Sequence, residues 1–215
     1  YIGQIHFGSE RRSKGIPVLR KIWEFTYPRA YQKSVETFAS SFGIPKELVW
    51  SIMRTESHYR FDARSPVGAL GLMQIMPYTG ARIAKLLKMP GFETEHLLEP
   101  DMNVRLGARY LSRLSEKFDS NLPLIAAAYN AGPHRVDRWL KAFGHLDMDE
   151  FIEHIPYLQT REYVKKVTEN FYIYKSIYSD SAKETKPLVW LSQPIGVQVA
   201  DGSTAREDWS DLENL

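Results

Sequence analysis

The sequence contains no cysteine, which excludes disulfides, thiol nucleophiles and cysteine-built metal sites. It has no apolar run near the roughly 18 residues that cross a bilayer, so no membrane span is expected in this chain. An excess of one charge is missing too: 28 Lys and Arg against 26 Asp and Glu leave +2. That balance does not point to nucleic acid, and it would not repel an anionic polymer. The six histidines are scattered and none falls in an HExxH pattern, so no metal site is expected. GxSxG is absent, and GALGLM has neither the third glycine nor the strand–turn–helix setting of a nucleotide loop. No cofactor is implied. With no initiator methionine and no signal-peptide pattern, a processed form or an excised fragment is expected.

What is present is a helical chain. The hydrophobic share of 43% over 215 residues suffices for one core, in one domain or one domain with extensions. Residues 1–26 read as an N-terminal extension, punctuated by glycine and carrying a small basic cluster at Arg11, Arg12 and Lys14. Within it, Val18 to Phe25 fits either a helical turn or a short strand. From residue 27 to about 180, apolar residues recur at three- and four-residue steps, the helical signature. The spacing predicts helices from Tyr27 to about Phe42, Lys46 to Ser57, Pro77 to about Leu87, Asp101 to about Phe118, a helix capped by Asn121, and Val136 to Phe143. A last long helix follows from Val164, while Phe151 to Tyr163 and Lys88 to Pro100 read as irregular. Residues 181–215 change texture, with a β-prone stretch PLVWLSQPIGVQV and an acidic tail. The fold class is mainly α, with less regular extensions at both ends.

One helix carries the chemistry. Val49, Ile52, Met53 and Glu56 fall at i, i+3, i+4 and i+7, so an apolar face ends in a carboxylate. Removed from water, that carboxyl favours its neutral form and its pKa rises. Glu56 is therefore the candidate general acid. After Ser57 the periodicity lapses into SPVGALGLMQIMP, a glycine-rich loop with Val67, Leu70, Leu72, Met73, Ile75 and Met76 expected to pack inward. A buried loop needs partners for its backbone groups, and beside a buried acid it is where a cleft wall belongs. Its polar members, Ser65 and Gln74, either orient a substrate or satisfy the loop's own backbone. Further on, Leu122, Ile125, Ala126 and Tyr129 repeat the pattern of an apolar stripe closed by a polar-tipped residue.

Three separated segments, ESHYRFDARSPVGALGLMQIMP, LGARYL and AAYNAGPHRVDRWL, resemble in order and spacing the catalytic domain of the soluble lytic transglycosylases, in the goose-type-lysozyme-like branch of the lysozyme superfamily. The resemblance covers roughly Tyr27 to Tyr178, and IPYLQTREYV is similar to a fourth family segment. It implies a lysozyme-like helical domain and cleavage of the MurNAc–GlcNAc bond of peptidoglycan by one acid/base, Glu56, with help from the substrate's acetamide. It implies 1,6-anhydro product ends, a periplasmic or envelope location, glycan strands as partner, and a monomer. Ser65, Gln74, Met76 and Tyr129 take substrate-binding roles by the same carry-over, Tyr129 orienting Glu56 or the acetamide. Departures are Arg60-Phe61 for the usual Asn-Pro, His134 for a common Gly, and Gln159 where the family often has Glu. Gln159 is thus expected to leave the activity in place and to bear on substrate preference or on the pH profile. A muramidase on the same fold, using water, is the alternative; a non-catalytic glycan-binding module ranks below both.

Overall fold

The three- and four-residue periodicity produces helices, and among the described residues no strand beyond isolated bridges. The structure, a computed structural model, describes residues 19–178 and Ile195. The basic cluster at 11–14 and the β-prone stretch after 186 lie outside them, Ile195 excepted.

In chain order the helices are α1 Arg20–Thr26, α2 Gln32–Ser41, α3 Lys46–Ser57, α4 Pro77–Leu86, α5 Pro100–Lys117, α6 Leu122–Ala131, α7 Pro133–Phe143, α8 Met148–His154 and α9 Leu158–Tyr178, with a 3-10 turn at Thr94–Leu98 between α4 and α5. Proline opens α4 at its first position, where its missing N–H costs nothing. Asn121 caps α6, its side chain accepting from the Leu124 amide at 3.3 Å. His58 ends α3 in the left-handed region at φ 51°.

Two expectations are corrected and one open choice is decided. The helix expected from Tyr27 begins only at Gln32, because Tyr31 adopts φ 51° and breaks the chain from α1. Of the helical turn and the short strand left open within 18–25, the described residues take the helix, α1, which packs on α9 through Arg20 Nη2 donating to the Ile177 carbonyl at 2.6 Å. The stretch from Phe151 to Tyr163 is not irregular: α8 and α9 meet around Ile155-Pro156, where proline bars its predecessor from helical backbone.

α9 is the central strut. It packs along α3 and α6 and touches α1 and α8. Tyr163, Val164, Val167, Tyr174 and Ile177 are buried along it. Trp50 of α3, fully buried, stacks on Tyr174 with ring centres 5.6 Å apart. The α3 stripe is as expected: Val49, Ile52 and Met53 are completely buried.

Candidate active site

Glu56 sits in the last turn of α3, and its carboxyl points at α9. The Tyr163 hydroxyl donates to Glu56 Oε1 at 2.5 Å. Glu56 keeps partial exposure, enough for a substrate to reach it. The protein packed around it nevertheless removes enough water to lift its pKa from 4.5 to about 7. The Tyr163 bond favours the ionised form and pulls the other way, and burial wins. Among the described residues no carboxylate or cation is paired with Glu56, so desolvation sets its protonation.

The next residue fastens the loop. Ser57 donates to the Leu72 carbonyl at 2.7 Å, with its own helix's Met53 carbonyl at 3.3 Å. From the far side, Asn103 of α5, fully buried, accepts from the Met73 amide at 2.8 Å and donates to the carbonyls of Leu70 and Leu97 at 3.0 and 2.7 Å. The loop folds on itself as well: Leu70 and Ile75 exchange backbone bonds at 3.0 Å, and the Gly71 amide reaches the Ala63 carbonyl at 2.8 Å. Much of the backbone of this buried loop is thus paired. Glycine is required at 71, where φ is 76° and a Cβ would lie 2.1 Å from the Leu97 carbonyl oxygen. Gly107 of α5 makes room in the same way for the Met73 sulfur, 2.4 Å from where its Cβ would be.

The sequence-derived residues fall into groups. Gln74, Met76 and Tyr129 come together on a cavity of about 240 Å³, shared with Thr79, Tyr110 and Asn130. Gln74 adopts φ 48°, and its amide nitrogen donates to the Gly71 and Ala63 carbonyls at 2.9 and 3.1 Å. Ser65 accepts from the Ala69 amide at 2.8 Å. Both polar residues therefore brace the loop, which leaves the Ser65 hydroxyl proton and the Gln74 carbonyl for a ligand. Gln159 is exposed one turn before Tyr163 on α9, with no partner among the described residues, and lines neither this cavity nor the carboxyl.

Two expectations about the site change. Tyr129 does not bond Glu56: its hydroxyl donates to the Met73 carbonyl at 2.8 Å. It remains close, since burial first and the Glu56 charge second push its pKa well up. The hydroxyl on the acid is that of Tyr163, missed because its segment reads as irregular. Its signal was a stripe of Tyr163, Val167, Asn170, Tyr174 and Ile177 at helical steps. In the loop, Val67 and Met76 face outward, 77% and 41% exposed, rather than packing in. Val67 stands at the tip of a turn closed by the Gly68 amide on the Ser65 carbonyl, and Met76 stands just outside the start of α4.

An acid held near neutral pH at the end of an apolar helix face, opposite a braced loop and above a helical core, defines a class, and comparison with known proteins agrees. Residues 34–152 match the Transglycosylase SLT domain, and the chain belongs to that family. The soluble lytic murein transglycosylase of Escherichia coli K12 is 37% identical over 175 residues, 79% of this chain and 27% of that protein. Its Salmonella typhimurium counterpart is 39% identical over 152 residues, 68% of this chain and 24% of that one. The crystal structure of the 70 kDa soluble lytic transglycosylase from Escherichia coli superposes with a TM-score of 0.71 at 38% identity, covering 74% of this chain and 26% of that one. The mainly helical, lysozyme-like fold expected from the sequence is the fold observed. The chain spans about a quarter of the length of these curated relatives.

Proposed function

We propose that this chain is the catalytic domain of a peptidoglycan lytic transglycosylase, cutting the MurNAc–GlcNAc bond and leaving 1,6-anhydroMurNAc ends. The observation that carries the reading is the single carboxyl of Glu56, held at a pKa of about 7 by burial and bonded to Tyr163. A group that must first give a proton and then take one works best with its pKa near the operating pH. Neutral Glu56 protonates the bridging oxygen as the C1–O bond breaks, and the substrate's acetamide carbonyl shields the cationic sugar carbon. The C6 hydroxyl then attacks C1 and returns its proton to the Glu56 carboxylate. No water is consumed, and the enzyme ends as it began.

Supporting this, Gln74, Met76 and Tyr129 share a cavity suited to a sugar with a few placed polar groups. Ser65 and Gln159 are assigned substrate roles by resemblance, and Gln159 is the position expected to alter preference. The catalytic unit is assigned to residues 27–180, with extensions before and after it. The assigned location is the cell envelope, the periplasm in particular. Glycan strands are the partner, and the domain acts as a monomer. The relatives are named for action on murein, in soluble and membrane-bound forms; among the described residues here, no helix is long and apolar enough to cross a membrane.

Mass spectrometry of muropeptides released from purified peptidoglycan tests the reading. Products one water lighter than reducing ends are expected, and Glu56→Gln should lower their release about 10³-fold with an unchanged far-UV spectrum. Products with reducing ends would assign the muramidase reaction instead. Unchanged release by the variant would remove Glu56 from the chemistry.

A further inference from the structure

The larger of two described cavities does not adjoin the acid. It holds about 430 Å³ and is lined by Phe25, Thr26, Pro28, Arg54, Ser57, His58, Tyr59 and Arg60. Arg54 and Glu56 stand two residues apart on α3, so they leave the helix in nearly opposite directions. Arg54 is 94% buried, at 6% exposure, and among the described residues it has no carboxylate partner. Its Nη1 donates to the Thr26 carbonyl at 2.7 Å and to the Tyr59 hydroxyl at 3.2 Å. The Tyr27 ring covers one face of the guanidinium, 3.9 Å from Cζ to the ring centre.

What remains is the Nε–Nη2 edge. It has no acceptor among the described residues, and Arg54 forms part of the cavity wall. A buried guanidinium that cannot lose its proton normally has an anion against it, because an unpaired buried charge is strongly unfavourable. That edge presents two parallel N–H groups, the fork that matches a carboxylate side-on. No acidic residue lines the cavity, and Arg60, loosely paired through Nε with the exposed Asp62 at 3.7 Å, places a second guanidinium at its wall. The remaining walls, Phe25, Pro28 and the Tyr59 ring, suit a small apolar group carrying the anion.

We propose that this cavity is a carboxylate-binding site, with the Nε–Nη2 edge of Arg54 as its bidentate anchor and Arg60 as its outer cation. The inference stands apart from the catalytic assignment, since nothing in it depends on Glu56. Two sources share the chemistry: a carboxylate on the peptide stem of a wall polymer, or a free small carboxylate.

The test follows the backbone amide resonances of Ser57, His58 and Tyr59 at the cavity wall of the full chain, which wild type and variants share. Sodium acetate is titrated in one arm and a sugar-free stem tetrapeptide in the other, against sodium chloride at matched ionic strength. A saturable shift with either carboxylate, absent with chloride, is expected, and Arg54→Lys should weaken it at least tenfold. Arg60→Ala, on an exposed side chain, should weaken it several-fold and fold normally. Tighter saturation by the tetrapeptide assigns the stem as source; equal saturation by acetate assigns a free carboxylate. The proposal is overturned if neither probe saturates, or if Arg54→Lys and Arg60→Ala both bind as the wild type does. Because binding is read without turnover, this failure and a failure of the catalytic reading cannot be confused.

Discussion

At the scale of single residues, Glu56 and Tyr163 oppose each other on one proton. Burial lifts the Glu56 pKa to about 7 while the Tyr163 hydroxyl holds it down. Tyr163→Phe should therefore raise it further, and the alkaline limb of the kcat/KM profile should move to higher pH, with the fold unchanged by circular dichroism. The same shift makes stability depend on pH. In the unfolded chain Glu56 ionises near the ordinary glutamate value of 4.5, whereas the folded chain keeps it neutral to about 7. The stability it contributes is therefore full below 4.5 and is lost as pH rises through 7. Relative to wild type, Glu56→Gln should gain about 2 kcal/mol above pH 7, discounted for partial exposure, and nothing below pH 4.5. Melting curves at pH 4, 6 and 8 check this, the expected gain at pH 8 being about 5 °C.

At the scale of elements, the loop between α3 and α4 is held by what surrounds it. Gly71 has no room for a side chain: a Cβ would sit 2.1 Å from the Leu97 oxygen and 2.4 Å from Asn103 Nδ2, at a φ of 76°. Gly71→Ala should cost about 3 kcal/mol by displacing that amide and straining the turn, read as a shift in the urea midpoint at unchanged slope. The acid and its helix were legible in the sequence because Val49, Ile52, Met53 and Glu56 are neighbours on one helix, and 3.6 residues per turn suffices to place them. Gln74 stood out as a polar residue in an apolar loop, with a substrate role and a backbone role both open. The cleft position of Met76 came only through resemblance, since a loop has no period. Asn103 and Tyr163 were not read at all. Each acts on a partner far along the chain, Met73 and Glu56, and no local pattern records a contact across 30 or 107 residues.

At the scale of the molecule, α9 joins parts that the chain order keeps apart. Tyr174 donates to the Pro28 carbonyl at 3.0 Å, Tyr178 to that of Tyr27 at 2.7 Å, and Asn170 to the Thr55 hydroxyl at 3.0 Å. The buried apolar residues of every helix except α1 fall in one cluster, so α9 is part of a single cooperative unit and not an appended arm. A chain ended at Tyr157 should lose its cooperative thermal transition and its near-ultraviolet spectrum, because Trp50 and Tyr163 lose their surroundings together. The sequence made the helical class plain, but it obscured where α9 begins, because Pro156 interrupts the pattern two residues before the helix starts.

The dipeptide Glu56-Ser57 has a consequence for how heat would act on this protein. One residue is tethered to the last helix and the next to the loop wall, so a tremor in either support reaches the proton donor through a single peptide link. Warming that loosens the loop alone would spoil the aim of the acid while the rest of the molecule stays intact. Turnover should consequently fade at temperatures where calorimetry still sees nothing melt.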